Sequence, residues 1–247
     1  MNKVANSLQM AGLRSGDVAI VHSNIKLAQK WANGDTPWEG CRYLLEGFEE
    51  MGCTAIAPTF NYDFCIGTPY NHHTSPSQVG IFGQYLMAVG TRSFHPIFSF
   101  ASKSADLMQD VSKSAFGTDS VFDRVYRANG WVVFFNVPFS FCTFVHYVEQ
   151  KLGVPYRYHK NFSGEVTRDG KTWTDTFDFF VRNLDINTKV DLNNLYEDLC
   201  WFDRVGTTVS DGGYVLAARC WDIENMIRER IPDNPQYLST YDIKELT

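Results

Sequence analysis

The feature that most restricts this chain lies near its start. Asp17-Val-Ala-Ile-Val-His22 is a short apolar run after a Gly-Asp turn, and it reads as a buried strand. From Glu39 to Met51 apolar residues recur at helical spacing, at Leu44, Leu45 and Phe48, and Gly52 supplies a stop. Cys53-Thr-Ala-Ile-Ala57 then returns as a second strand. A strand, a crossover helix and a strand in this order open a parallel sheet. Trp131-Val-Val-Phe-Phe-Asn-Val137 is the strongest buried strand further on, after a helix expected from Ser120 to Ala128. A short strand is expected from Ile97 to Ala101, and Val4 to Met10 reads as a short helix ending at Gly12.

The last third changes character. Glu165 to Arg168 and Lys171 to Thr174 flank Asp169-Gly170, the signature of a two-residue hairpin turn. A second hairpin is expected from Gly206 to Ala218 around Asp211-Gly-Gly213, and a final helix from Trp221 to Ile231. Parallel units in front and hairpins behind predict an α/β (α+β) fold with a mixed central sheet flanked by helices, as one domain over residues 1–247.

Composition removes several classes. A chain of 247 residues with 44% hydrophobic and 20% charged residues can bury a sizeable core. No stretch approaches the ~18 uninterrupted apolar residues of a membrane helix. The first residues lack a signal-peptide pattern, so the expected location is the cytoplasm. The net charge of −6 argues against a nucleic-acid partner, because phosphate backbones require basic surfaces. Six cysteines show no C-x-x-C pair and no zinc spacing, so they read as small buried hydrophobes and no metal is expected.

Chemistry concentrates in Ser140-Phe-Cys-Thr-Phe-Val-His-Tyr-Val-Glu149. With Ser140 as cap, a helix to about Leu152 would put Thr143, His146 and Glu149 on one face, three residues apart. A histidine beside a carboxylate can take a proton near neutral pH. The same spacing also describes an ordinary solvated helix face. Cys142 could be a nucleophile paired with His146, or a packed thiol between Phe141 and Phe144.

Two other segments offer ligand contacts. His22-Ser23-Asn24 ends the first strand, where α/β folds place cofactors. Ser75-Pro76 reads as the start of a helix to about Val89, with Ser77, Val79 and Gly80 near an anion-binding terminus. His72-His73 is a weak metal signal because neighbouring side chains on an extended loop diverge, and His95 alone reads as structural.

Taken in order, GDVAIVHSN, APTF, TSPSQVG, RSFHPIFSFAS, FGTDSVFDRVY and FVHYVE resemble the aminoglycoside 3-N-acetyltransferase (antibiotic N-acetyltransferase) family. Its blocks read G-D-x-x-x-V-H-S-S, P-T-F, T-x-P-S-x-x-G, R-S-x-H-P-x-x-S, F-G-x-x-S-P and H-x-x-E. This chain has Asn24 for the second serine of the first block, and Asn136 where a glycine usually follows the central strand.

The resemblance implies direct transfer of an acyl group from acetyl-CoA or another short acyl-CoA to a primary amine. His146 would be the general base, Glu149 its orienting acid and Thr143 a donor to the oxyanion. His22, Ser23, Asn24, Ser75, Ser77, Val79, Gly80, His95 and Ser99 map to the acyl-CoA site. Tyr62, Asp63, Tyr70 and Arg157 are the expected acceptor contacts. An aromatic loop with Phe60, Tyr62, Phe64 and Tyr70, and cations Arg124, Arg127, Arg157 and Lys160 near the catalytic helix, favour a nucleotide-linked amino sugar. The alternative acceptor is an aminoglycoside antibiotic. A binding module that keeps only the CoA groove is a second class, opposed by the intact His146 and Glu149.

Overall fold

A computed structural model describes residues 2–242. The apolar run after Gly16 becomes β1 (Val18–Ser23), whose four central residues are buried. α1 (Lys3–Met10) precedes it, and α2 (Lys26–Ala32), α3 (Pro37–Glu50) and β2 (Thr54–Pro58) follow. Next come β3 (Tyr70–Asn71), α4 (Ile81–Val89), β4 (Thr91–Arg92), β5 (Phe100–Ser102), α5 (Val121–Arg127), β6 (Trp131–Phe135) and α6 (Val145–Leu152). A long hairpin, β7 (Arg157–Arg168) and β8 (Lys171–Arg182), leads to β9 (Lys189–Val190) and α7 (Asn193–Trp201). β10 (Val205–Ser210), β11 (Gly213–Arg219), α8 (Cys220–Arg230) and β12 (Ser239–Thr240) close the described chain.

Seven strands form one sheet in the order β10-β11-β6-β1-β2-β5-β4. β1 pairs in parallel with β2 and β6, in registers that set Ile20 opposite Ile56 and His22 opposite Phe134. β11 runs antiparallel to β6, and β5 antiparallel to β2, so the sheet is mixed as expected. Alternate residues of β1 feed two cores: Ala19 and Val21 pack under α1 to α4, and Ile20 packs with the aromatic core on the other face. Three parallel strands therefore end together, at Ser23, Pro58 and Phe135, and that edge carries the site.

Several boundaries differ from the sequence expectation for local reasons. The helix expected from Ser75 starts at Ile81, because the Ser75 hydroxyl accepts from the Asn71 N–H at 2.9 Å and Gly80 adopts φ +63°. Ser140 caps nothing: it sits in a 3-10 turn, Phe139–Phe141, and α6 begins only at Val145. Thr143 therefore precedes the helix. The strand expected from Ile97 starts at Phe100, because His95 Nδ1 accepts the N–H groups of Ile97 and Phe98. β6 ends at Phe135, where Asn136 turns the chain at φ +54°, a left-handed position that asparagine tolerates in place of glycine. The Asp169-Gly170 turn forms as read, with both residues at positive φ, but its strands run from 157 to 182. The structure adds α2 and α7, which the sequence reading passed over.

Candidate active site

A groove of about 380 Å³ opens at the carboxyl ends of β1, β2 and β6. This is where open α/β sheets hold their ligands. His22 and Ser23 come from the end of β1, Pro58 from β2, and Val79 and Gly80 from the start of α4. Gly80 is the N-cap of α4 and offers no side chain to the first turn, so amide N–H groups there stay open to a ligand. Nothing lies within 4 Å of a Cβ built on Gly80, so its φ rather than crowding requires glycine.

Gly83 is the crowded position. A Cβ there would lie 2.2 Å from the Pro58 carbonyl oxygen, so only glycine lets α4 approach β2 at the groove floor. Gly83, Gln78 and Phe141 line the groove and were missed from sequence; a glycine inside a predicted helix was the available signal for Gly83. Tyr62 and Phe141, 42% and 56% exposed, stand among the lining residues.

Thr143 joins this groove to the catalytic candidates. Its Oγ1 lies 3.3 Å from His22 Nε2, and its carbonyl accepts from the His146 N–H at 3.1 Å. Burial holds the His22 pKa down at about 4, so the ring stays neutral. His146 Nδ1 lies 2.7 Å from Glu149 Oε2, the i,i+3 pairing expected on α6. Glu149 Oε1 accepts from the Tyr156 hydroxyl at 3.0 Å. Burial lowers the His146 pKa, with Glu149 pulling the other way. Burial by itself would raise the Glu149 pKa, but the His146 hydrogen bond and the Arg157 charge outweigh it and hold the carboxyl below its ordinary range. The pair is therefore a buried carboxylate orienting a neutral imidazole.

Other expected contacts lie elsewhere. Tyr70 is 2% exposed, beneath the Arg92 guanidinium, and cannot meet an acceptor. His95 and Ser99 are buried off the groove: His95 accepts backbone N–H groups, and Ser99 Oγ donates to the Thr59 carbonyl at 2.9 Å. Ser77 Oγ closes a local turn with Val79, and Asn24 Oδ1 accepts the Lys26 N–H at the start of α2. Asp63 is partly exposed beside Tyr62, at the start of a 3-10 turn. Arg157 reaches His146 and Glu149 instead of open space, with 4% of its side chain exposed. Cys142 is buried, and its thiol is pushed up to about 12 by burial, which removes the thiolate a nucleophile needs.

The sequence model described as aminoglycoside 3-N-acetyltransferase matches residues 53–219, so the chain belongs to that family. It is an acyl-CoA-dependent N-acetyltransferase with acetyl-CoA as its co-substrate. Among solved structures, sisomicin-bound AAC-VIa aligns with a TM-score of 0.77 at 18% identity, covering 94% of this chain and 97% of that one. The AAC-IIIb binary complex with CoASH aligns at 0.75 and 14% identity, covering 93% and 95%. The YokD protein from Bacillus subtilis aligns at 0.74 and 13%, covering 94% and 92%. At these identities the likeness shows the fold. No curated protein sequence gives a significant match. Among the described residues, no helix is long and apolar enough to cross a membrane, and no three metal-ligating side chains cluster.

Proposed function

We infer that the protein acetylates a ring amine of an aminoglycoside, with His146 as general base. The His146–Glu149 pair carries this reading: it lies one turn beyond Thr143, which lines the groove, in a chain of this family. The neutral amine attacks the thioester carbonyl carbon. As the N–C bond forms, His146 Nε2 takes the amine proton, and the carbonyl electron pair moves to oxygen. Thr143 Oγ1 donates to that oxyanion. The pair returns as the C–S bond breaks, and the leaving thiolate recovers the proton from His146. The high pKa of Cys142 favours this direct route over an acyl-cysteine. Ser23, Val79 and Gly80 would hold the acyl-CoA along the groove.

The aminoglycoside replaces the nucleotide-linked amino sugar expected from sequence. Relatives of this fold bind sisomicin and apramycin. The cations expected to hold a diphosphate are engaged: Arg124 donates to carbonyls of Asp106, Leu107, Gln109 and Asp110, and Arg127 pairs with Asp119 and Asp123. Lys160 lies over the Phe162 ring at 5.1 Å. The test is product mass after incubation with acetyl-CoA and a panel of amines. Sisomicin or gentamicin should gain one acetyl group. Acetylation of nucleotide-linked amino sugars alone would overturn the assignment.

A further inference from the structure

Arg157 opens β7 and turns inward, where its guanidinium meets three groups, the Nε contact to Glu149 being an ion pair without hydrogen-bond geometry. Nε lies 2.8 Å from Glu149 Oε2, and Nη1 donates to the Phe180 carbonyl at 3.2 Å. Nη2 lies 3.0 Å from His146 Nδ1, the same atom that lies 2.7 Å from Glu149 Oε2. One ring nitrogen cannot donate to a carboxylate and accept from a guanidinium at once. Without its proton, Nδ1 would turn a lone pair toward a buried carboxylate at 2.7 Å, which is repulsive. The proton therefore sits on Nδ1, and Nε2 keeps the lone pair that a base needs. Arg157 then faces the ring edge as a charge, not as a hydrogen-bond donor to it.

We propose that Arg157 is a positioning residue for the base: it fixes the Glu149 carboxylate against Nδ1 and offsets that carboxylate's pull, so that His146 stays neutral at neutral pH. The proposal rests on the reading of His146 as base. A carboxylate alone beside a partly buried histidine stabilises the imidazolium, and a base already protonated cannot take the amine proton. With Arg157 in place, the Glu149–Arg157 pair sums to zero charge, and a proton on the ring leaves an uncompensated cation. Among the described residues, the charged groups that act on the ring are Glu149 on α6, Arg157 on β7 and Arg182 on β8, and the loop before α5 sets the Phe116 ring 5.5 Å away. Burial, then Arg157, lower the ring's proton affinity, and Arg182 acts in the same direction.

The test titrates His146 by NMR in the free protein and records kcat/KM against pH with acetyl-CoA and sisomicin. Arg157→Met removes the charge, and Arg157→Lys keeps it. In Arg157→Met the ring should bind its proton at least ~10-fold more tightly, and the acid limb of kcat/KM should move up by about one unit. Activity lost near neutral pH should then return about one unit higher, which a purely structural defect would not allow. Arg157→Lys should titrate like the wild type. Unchanged titration in a folded Arg157→Met protein overturns the proposal. Should that variant not fold, Arg157→Gln takes its place, and identical titration in the Gln and Lys variants overturns it equally. A shifted titration in an enzyme whose wild type acetylates no amine would sink the functional reading and leave the charge offset standing.

Discussion

Two histidines flank Thr143, His22 buried and His146 with 21% of its side chain exposed, and their rings differ in every partner. His22, at the end of β1, stacks on Phe134 with ring centroids 5.8 Å apart, and among the described residues its ring has the Thr143 hydroxyl alone within hydrogen-bond reach. His146, at the start of α6, meets a carboxylate and a guanidinium within 3.0 Å. Burial alone produces a ring that refuses a proton until about pH 4, as at His22. Burial with a carboxylate produces a ring with a fixed tautomer that can take a proton and give it back. Burial lowers the proton affinity of both rings; at His146 the partners fix the tautomer and the carboxylate pulls against that lowering.

The sharpest way to break this contrast is to remove the carboxylate. Glu149→Gln leaves the Arg157 charge without its buried partner, at a cost of ~3–5 kcal/mol. Thermal melts should show that loss, and residual turnover should fall with it. A Glu149→Gln protein as stable and active as the wild type would erase the distinction between the two histidines.

Acid titration of stability sharpens the other side. The unfolded chain protonates His22 near pH 6.5, and the folded chain only near 4. The unfolded state thus binds more protons between these values, and stability falls as pH drops through that window. The full shift corresponds to up to about 3 kcal/mol. His22→Phe should flatten the acid limb of a melting-temperature curve; an unchanged limb would contradict the assignment. The same variant also removes the hydrogen bond to Thr143, and its kcat should fall up to ~10-fold. The smallest effect belongs to Cys142→Ser, which should keep most activity because its thiol is buried and un-ionised; complete loss, with a trapped acyl-cysteine, would restore the nucleophile reading.

The parallel core and the His146–Glu149 pair were legible because both depend on local periodicity: apolar runs for β1 and β6, and an i,i+3 spacing for the pair. Thr143 reached the site by a different path from the one its spacing implied, since Pro138 opens a 3-10 turn and the helix starts late. Arg157 was named but misplaced, because its role depends on β7 folding back over α6. Tyr70 failed for the same kind of reason: its loop looked like an exposed aromatic platform, and Arg92 and Phe94 cover it. Gly83 stood out only as a glycine inside an expected helix, and its role shows once α4 comes within contact of β2.

The central claim, direct transfer with His146 as base, is tested by following acceptor-dependent release of the CoA thiol from acetyl-CoA in wild type and His146→Gln. Thermal shift with acetyl-CoA establishes that both proteins fold and bind. The wild type should release thiol only when an aminoglycoside is present, and His146→Gln should retain acetyl-CoA protection while turnover falls ~10²–10⁴-fold. Equal turnover in a folded His146→Gln protein would contradict the account.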